Sequence, residues 1–212
     1  MNNSIMNRAV YKSIIYSFAA QFVGVLSSVC MSAFIPKVTS VLNFSYWQLF
    51  VFYSSFIGLL HFGWVDGMYL RYGGKNLDQI NAKSFNSQLV LYFAFHLAIV
   101  LIGVIVVSCM ESTEQTVLFF VLLYIPIKNI YSYFSMTLLS TDNIVKNSKC
   151  DILRKGFLVI SILSILFCHL EVEYKTIIIL FIASEIIPFV PMLKSFGGIL
   201  HLCDLQPLSQ TL

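Results

Sequence analysis

Residues 89–107, LVLYFAFHLAIVLIGVIVV, form an uninterrupted apolar run that contains no Asp, Glu, Lys or Arg. About 20 such residues in helical form cross the hydrocarbon core of a bilayer. A strand of a membrane barrel would instead alternate polar and apolar residues, and this run does not alternate. The stretch therefore predicts a transmembrane helix, and the rest of the chain repeats the pattern.

The composition of the whole chain also indicates a membrane protein. Of its 212 residues, 58% are hydrophobic and 11% are charged, and the mean hydropathy is +0.83. A soluble domain carries roughly 25% charged residues, so most of this surface must meet lipid or other helices. The formal net charge is +3, but the basic residues lie scattered between apolar runs and form no stripe that would bind nucleic acid. We expect one integral membrane domain.

Runs of similar length predict six transmembrane helices in all. They lie near residues 13–36, 45–65, 86–110, 117–140, 155–171 and 175–193. The first run follows Arg8 and Lys12, as the core of a signal peptide would, but it is longer than an ordinary h-region and we expect it to be retained. The predicted fold class is an all-α integral membrane protein with a six-helix bundle over residues 1–194 and a cytoplasmic tail at 195–212.

The basic residues between the spans indicate the side of the membrane on which each loop lies. Lys37 and Lys175 fall on one side, whereas the other side receives Arg8, Lys12, Arg71, Lys75, Lys83, Lys146, Lys149, Arg154, Lys155 and Lys194. Because positively charged loops resist translocation, the side that holds more of them is cytoplasmic. The predicted cytoplasmic segments are both termini and the connectors 66–84 and 141–155, and the predicted external connectors lie near 37–44, 111–116 and 172–174.

The segment FGWVDGMYLRYGGKNLDQIN, residues 62–81, follows the second predicted span. Asp66 stands where that helix should leave the membrane. Glycines that allow the backbone to turn come next, at Gly67, Gly73 and Gly74. An alternative is an interface anchor, with Arg71 on anionic lipid and with aromatic rings at the headgroup level, from Trp64, Tyr69 and Tyr72.

Part of this segment resembles the corresponding segment of a known protein family. The string FGWVDGMYLRYGGK at 62–75 resembles the segment after the second span of bacterial polysaccharide flippases, the O-antigen and capsule transporters of the multidrug/oligosaccharidyl-lipid/polysaccharide exporter superfamily. The basic connector STDNIVKNSKCDILRK at 140–155 is similar to the polar segment after the family's fourth span. As a pattern of spans and charges, the resemblance covers residues 8–194.

This resemblance implies two six-helix lobes that face each other across a central cavity in the bacterial inner membrane. They would carry an undecaprenyl-pyrophosphate-linked sugar repeat from the inner to the outer leaflet. The chain would supply the N-terminal lobe, and a second lobe or a homodimer would complete the carrier. A truncated or frameshifted gene product would explain the tail at 195–212. The alternative from another class is a non-transporting membrane scaffold or subunit, such as an inactive flippase remnant.

Lys128 lies near the middle of the fourth predicted span, where a basic residue costs about 2.5–3.5 kcal/mol on insertion scales. Residues three and four apart share a helix face, and the polar and aromatic members of this face are Tyr124, Tyr131, Ser132 and Ser135. With an anionic cargo, the ammonium would pair with pyrophosphate and the tyrosines would stack on sugars or bond their hydroxyls. Arg71 is a further candidate to bind the anionic group. The alternative for Lys128 is a structural ion pair or a snorkelling side chain.

Three other ionisable residues are candidates for ion coupling: Glu185, His96 and Asp66. Glu185 lies midway along the sixth predicted span, and it is either a protonation site or the counter-ion of Lys128, with the pair favoured. His96 lies near the centre of the third span and would relay protons at physiological pH, or would be hydrogen-bonded between helices. Asp66 carries the charge at the end of the second span.

Features of enzymes and metal sites do not occur in the sequence. It contains no G-x-S-x-G, P-loop or H-E-x-x-H motif, and its five cysteines include no C-x-x-C pair. We therefore expect no enzyme, no cofactor and no metal. Small residues spaced four apart predict a ridge for close helix packing in the first span, beside Gln21. They are Ala20, Gly24, Ser28 and Ser32.

Overall fold

In the computed structural model, which describes residues 2–111 and 114–200, the chain is helical and contains no strand within those ranges. The α-helices there are α1 (Asn2–Val38), α2 (Val41–Ser55), α3 (Trp64–Tyr72), α4 (Ala82–Ser108), α5 (Gln115–Ser140), α6 (Ile144–Phe167), α7 (Tyr174–Ile186) and α8 (Phe189–Ser195). Two 3-10 helices, Ile57–His61 and Leu77–Gln79, flank α3. The predicted all-α class is confirmed.

Four helical segments within the described ranges are long and apolar enough to cross a membrane. They are Val10–Val38, Ala82–Ser108, Gln115–Ser140 and Tyr174–Ser195. A fifth candidate is a pair of segments, Val41–His61 and Trp64–Tyr72, that bend by 53° at a short break. The chain is thus a helical protein suited to a membrane, but the expected six spans are met only in part, because the one at 155–171 is not among these candidates.

This span differs from the prediction because its helix begins well before the apolar run. α6 starts at Ile144, so most of the basic connector predicted at 141–155 is helical. Lysine, arginine and leucine are good helix formers, which explains why the helix extends through this segment. The charges of Asp151, Arg154 and Lys155 consequently lie on the same helix as the apolar residues 156–167 and lower its mean hydropathy.

The chain forms two compact units. The first unit comprises the residues up to Ser45 and from Asn143 to Met192, and the second comprises Tyr46 to Asp142 and continues from Leu193. In the first unit α6 packs against both α1 and α7. In the second unit α5 packs against α3, α4 and the first 3-10 helix.

The predicted small-residue ridge of α1 lies against α6 at one end only. A Cβ on Gly24 would lie 2.8 Å from Nζ of Lys155, and this ammonium donates to the carbonyl of Ala20 at 3.4 Å. Ser28 and Ser32 are exposed, and each hydroxyl donates to the carbonyl four residues earlier. The ridge therefore leaves space for a lysine side chain at its first half.

Aromatic rings form the core of the second unit. The ring centroids of Phe85 and Tyr133 lie 5.2 Å apart, and the hydroxyl of Tyr133 donates to the carbonyl of Phe85 at 3.0 Å, which joins α5 to α4. Phe196 is fully buried and stacks on Phe85 at 5.5 Å. Residues 195–200, which were predicted to belong to a cytoplasmic tail, are thus part of this unit, whereas residues 201–212 of that tail lie outside the described residues.

The segment 62–81 contains a helix start where a helix exit was predicted. Phe62 and Gly63 adopt left-handed backbone, with φ of 46° and 76°, and α3 begins directly after them. Nδ1 of His61 accepts the N–H of Gly63 at 3.1 Å. The second predicted span is therefore broken at this turn, since a left-handed residue cannot continue a right-handed helix.

Turns were predicted at the glycines of this segment, but not all of these glycines lie in turns. Gly74 has a φ of 78° and turns the chain after α3, as predicted. Gly67 lies inside α3 and makes no turn. Asp66 is in the first turn of α3, where the partial positive charge of the helix N-terminus favours a carboxylate. The expectation that Asp66 marks the end of a helix is wrong.

Cysteine labelling tests the topology. Lys75 and Lys146 are exposed on the predicted cytoplasmic side and Glu111 on the predicted external side. In a background without native cysteines, Lys75→Cys and Lys146→Cys should react with an impermeant maleimide only after the membrane is opened, because the basic segments that carry them stay inside. Glu111→Cys should react in intact cells. Labelling of position 75 in intact cells would show that the bent pair enters and leaves on one side.

Two glycine substitutions test the position of the break. Gly63→Ala should destabilise the protein by about 1–2 kcal/mol, because an alanine resists the left-handed conformation. Gly67→Ala is the matched control: no atom lies within 4 Å of the added Cβ, and it should be neutral or stabilise by up to about 1 kcal/mol. Thermal unfolding in mild detergent measures both. Equal effects would contradict a break at Gly63.

Candidate functional site

Lys128 lies half-buried near the middle of α5, which continues through Pro126 without interruption. Tyr124, one turn before it, is 3% exposed and its ring lies 5.9 Å from that of Phe50. Tyr131, one turn after it, is 4% exposed. Lys128 therefore lies on one helix with two tyrosine rings that are both buried.

The burial of Tyr124 and Tyr131 limits what their rings can contact. Rings that are almost fully buried are not available to stack on a sugar in this arrangement. Ser132 and Ser135, which share the face, are half-buried and stand closer to the surface. The predicted contact of Tyr124 and Tyr131 with sugar stays a prediction.

Glu185 is 1% exposed in α7, and its carboxylate binds the guanidinium of Arg154 in α6. The same guanidinium lies 3.4 Å from Oδ1 of Asp151, one turn earlier in α6. A buried carboxylate needs such compensation because burial in a medium of low dielectric constant strongly disfavours charge. Within the first unit, Glu185 is therefore the acidic member of an ion pair that links α6 to α7.

Sequence reasoning assigned Glu185 to Lys128 and missed Arg154. Arg154 was interpreted as one of several cytoplasmic charges, because the connector that carries it was expected to be a loop. The signal that could have found it is its spacing of three from Asp151 within a helix-forming segment. Lys128 belongs to the second unit, and its pairing with Glu185 stays a prediction.

His96 is fully buried in α4. Nδ1 of its ring lies 2.8 Å from the carbonyl of Tyr92, one turn earlier. Because a carbonyl only accepts hydrogen bonds, Nδ1 carries the proton in this contact. The ring also lies edge-on to that of Tyr92, at 4.3 Å between centroids. The bond is within one helix, whereas the alternative proposed from the sequence was a bond between helices.

Arg71 and Asp66 lie near the two ends of α3. Arg71 is exposed and donates to the hydroxyl of Ser84 at 3.4 Å. The carboxylate of Asp66 is 68% exposed and lies 3.9 Å from Nδ1 of His61. Since that nitrogen accepts the N–H of Gly63, it carries no proton towards Asp66. Both residues are therefore surface charges of α3, and Arg71 is accessible to an anion.

The described residues contain no group of three or more His, Cys, Asp or Glu side chains that could hold a metal ion. Cys30 and Cys150 are buried free thiols, and Cys109 and Cys168 are exposed free thiols.

Comparisons with known proteins gave no match: no family model, no curated protein and no solved structure is similar enough to the chain to be significant.

A double-mutant cycle tests the ion pair. Arg154→Met should lower the free energy of unfolding by about 3–5 kcal/mol, because it leaves the buried carboxylate of Glu185 without its partner. The double variant Arg154→Met with Glu185→Leu should recover most of that loss. Lys146→Ala, at an exposed basic residue of the same helix, is the control and should change stability by less than about 0.5 kcal/mol.

The same cycle with Lys128→Ala and Glu185→Leu tests the pairing predicted from the sequence. Additive losses for these two residues would assign them separate roles. Additive losses for Arg154 and Glu185 would contradict the ion pair.

Proposed function

We propose that the chain is one lobe of a flippase that moves polyprenyl-pyrophosphate-linked oligosaccharide repeats across the bacterial inner membrane. The observation that carries the proposal is a half-buried Lys128 near the middle of α5, a helix that is long and apolar enough to span a bilayer. A charge at this depth is costly and is retained mainly where it binds something. The resemblance of residues 62–75 to the flippases supplies the identity of the cargo.

The chemistry of Lys128 suits a diphosphate. Its ammonium group is a compact charge with three donors, and it binds phosphate oxygens as a point charge. In hydrocarbon, the attraction between the ammonium and a diphosphate is screened far less than in water. Lys128 would thus stabilise the anionic head of the lipid near the middle of the membrane, where a charge is least favourable. Arg71, exposed beside the end of α3, would attract the same head at the cytoplasmic surface.

The finer topology belongs to the same proposal. We place six spans, with both termini in the cytoplasm, and count α6 among them in spite of its charges. Arg154 is neutralised by Glu185, and Lys155 donates to the carbonyl of Ala20. A hydropathy scale treats both side chains as unpaired, although their partners lower the cost of insertion. A second bundle, from another chain or a second copy, would complete the carrier.

The second candidate function is a non-transporting membrane subunit. The observation that favours it is the Arg154–Glu185 pair, which is internal to one unit and serves to join two helices. On this view Glu185 takes no part in ion coupling. The two functions differ in what Lys128 does, because only a flippase needs it to bind an anionic lipid.

Lipid binding separates the two functions. The purified chain should bind a short polyprenyl diphosphate, and Lys128→Gln should weaken binding by about 10–100-fold, since a hydrogen bond to a charged group contributes about 1.5–3 kcal/mol. Lys175→Gln is the control, because Lys175 is exposed at the start of α7, and it should leave affinity unchanged. Equal weakening by the two variants, or no binding by the wild type, would contradict the proposal.

In a flippase-deficient strain, the chain by itself should insert in the membrane without restoring surface polysaccharide, because one bundle encloses half a cavity. Restoration that is lost on Lys128→Ala and accompanied by a crosslinked dimer would contradict the expectation that the chain needs a different protein as its second lobe. It would show that a second copy supplies the missing bundle.

A further inference from the structure

An apolar cavity of about 430 Å³ lies within the second unit. Its lining comes from the end of α2, the first 3-10 helix, the end of α4 and the first half of α5: Phe52, Tyr53, Phe56, Ile57, Leu60, Val107, Leu118, Val121, Leu122 and Ile125. Ile57, Val121 and Ile125 are buried and form the floor. Phe52 and Phe56, at the rim, are 55% and 50% exposed. The cavity is thus open at a rim of exposed aromatic rings.

The lining determines what the cavity accepts. Water occupies a cavity only where two to four polar groups bond it, and among these side chains only that of Tyr53 carries one. A volume of this size matches that of pockets that hold ligands, which run from about 300 to 1,000 Å³. The helices that supply the floor and rim are suited to the membrane. Hydrocarbon is therefore the chemistry that fits inside.

Lys128 follows the floor residues of the cavity along α5. Val121, Ile125 and Lys128 are four and three residues apart, so they follow one another on one face of the helix. From Leu118 to Lys128 the helix rises about 15 Å. A charged group that binds an anion and an apolar cavity that takes a chain thus adjoin on one helix, which is the arrangement an anionic lipid needs.

We propose that this cavity binds the hydrocarbon chain of the same polyprenyl diphosphate lipid whose head contacts Lys128. The inference rests on the proposed function, which places the diphosphate there. The depth of Lys128 selects this lipid over a bulk phospholipid. Lys128 is about 18–20 Å along α5 from either end of the helix, whereas phospholipid heads stay at the interface. Only a lipid in transit brings its head to that depth with its chain alongside.

Photolabelling of the purified full chain tests the site. The probe is a prenyl diphosphate with a diazirine on its chain, and mass spectrometry locates the label. We expect label on the cavity residues of α2 and α5. Leu122→Trp fills the cavity and should lower this labelling about tenfold or more. Leu118→Trp, one turn earlier on the same face of α5, serves as a second variant.

Leu123→Trp is the matched control. It is the same substitution one residue along α5, at a side chain that is 55% exposed and outside the lining, and it should leave labelling unchanged. Lys128→Gln should lower labelling of the cavity as strongly as Leu122→Trp does, because the chain is held there through its head. In the wild type, affinity should rise with the length of the prenyl chain, a measurement that does not depend on any variant.

Several outcomes would overturn the inference. Label spread evenly over exposed apolar residues, or unchanged in a folded Leu122→Trp protein, would show that the chain does not enter the cavity. Equal labelling by a diazirine phosphatidylglycerol, not displaced by excess prenyl diphosphate, would assign the cavity to bulk lipid. Labelling indifferent to Lys128→Gln would separate the cavity from the head site. Binding that depends on Lys128 but not on chain length would remove this inference alone, whereas absence of any binding would remove the proposed function as well.

Discussion

Hydrocarbon does not hydrate a charge, so each ionised side chain on a membrane helix needs an opposite charge or a path to water. In the first unit this constraint is met by the pair of Arg154 and Glu185, the latter almost completely buried. Asp151 lies within reach of the same guanidinium. The pair joins α7 to α6 and neutralises one of the charges that α6 carries next to its apolar segment.

The same constraint governs the hydroxyl groups. Those of Ser28, Ser161 and Thr137 each donate to the carbonyl four residues earlier in their own helix. A serine or threonine satisfied in this way exposes little polarity to lipid, which explains how helices with several such residues remain apolar overall. The ammonium of Lys155 uses a carbonyl of the neighbouring helix instead. These three short side chains are thus compensated within their own helix, whereas the long side chain of Lys155 is compensated across helices.

The break in the second predicted span has the opposite effect, because it opens space. A straight helix from Val41 to Tyr72 would present one continuous face to its neighbours. The left-handed turn at Phe62 and Gly63 ends the run, and the 3-10 helix before it contributes Ile57 and Leu60 to the cavity wall. This cavity adjoins the face of α5 that carries Lys128. The irregular segment and the charged helix together supply the two parts of the proposed lipid site.

The sequence alone determined the all-α class, the approximate positions of most helices and the central place of Lys128 in an apolar helix. These depend on runs of apolar residues and on charges placed within them, both of which are local properties. Only the tertiary structure decided that Glu185 binds Arg154, that Phe196 enters the core of the second unit and that the second span is broken. The partner of a buried charge is set by which helices meet, and Arg154 and Glu185 are 31 residues apart in the chain. No local sequence pattern predicts that these two residues pair. A buried charge is compensated by whichever opposite charge the packing of the helices brings within reach.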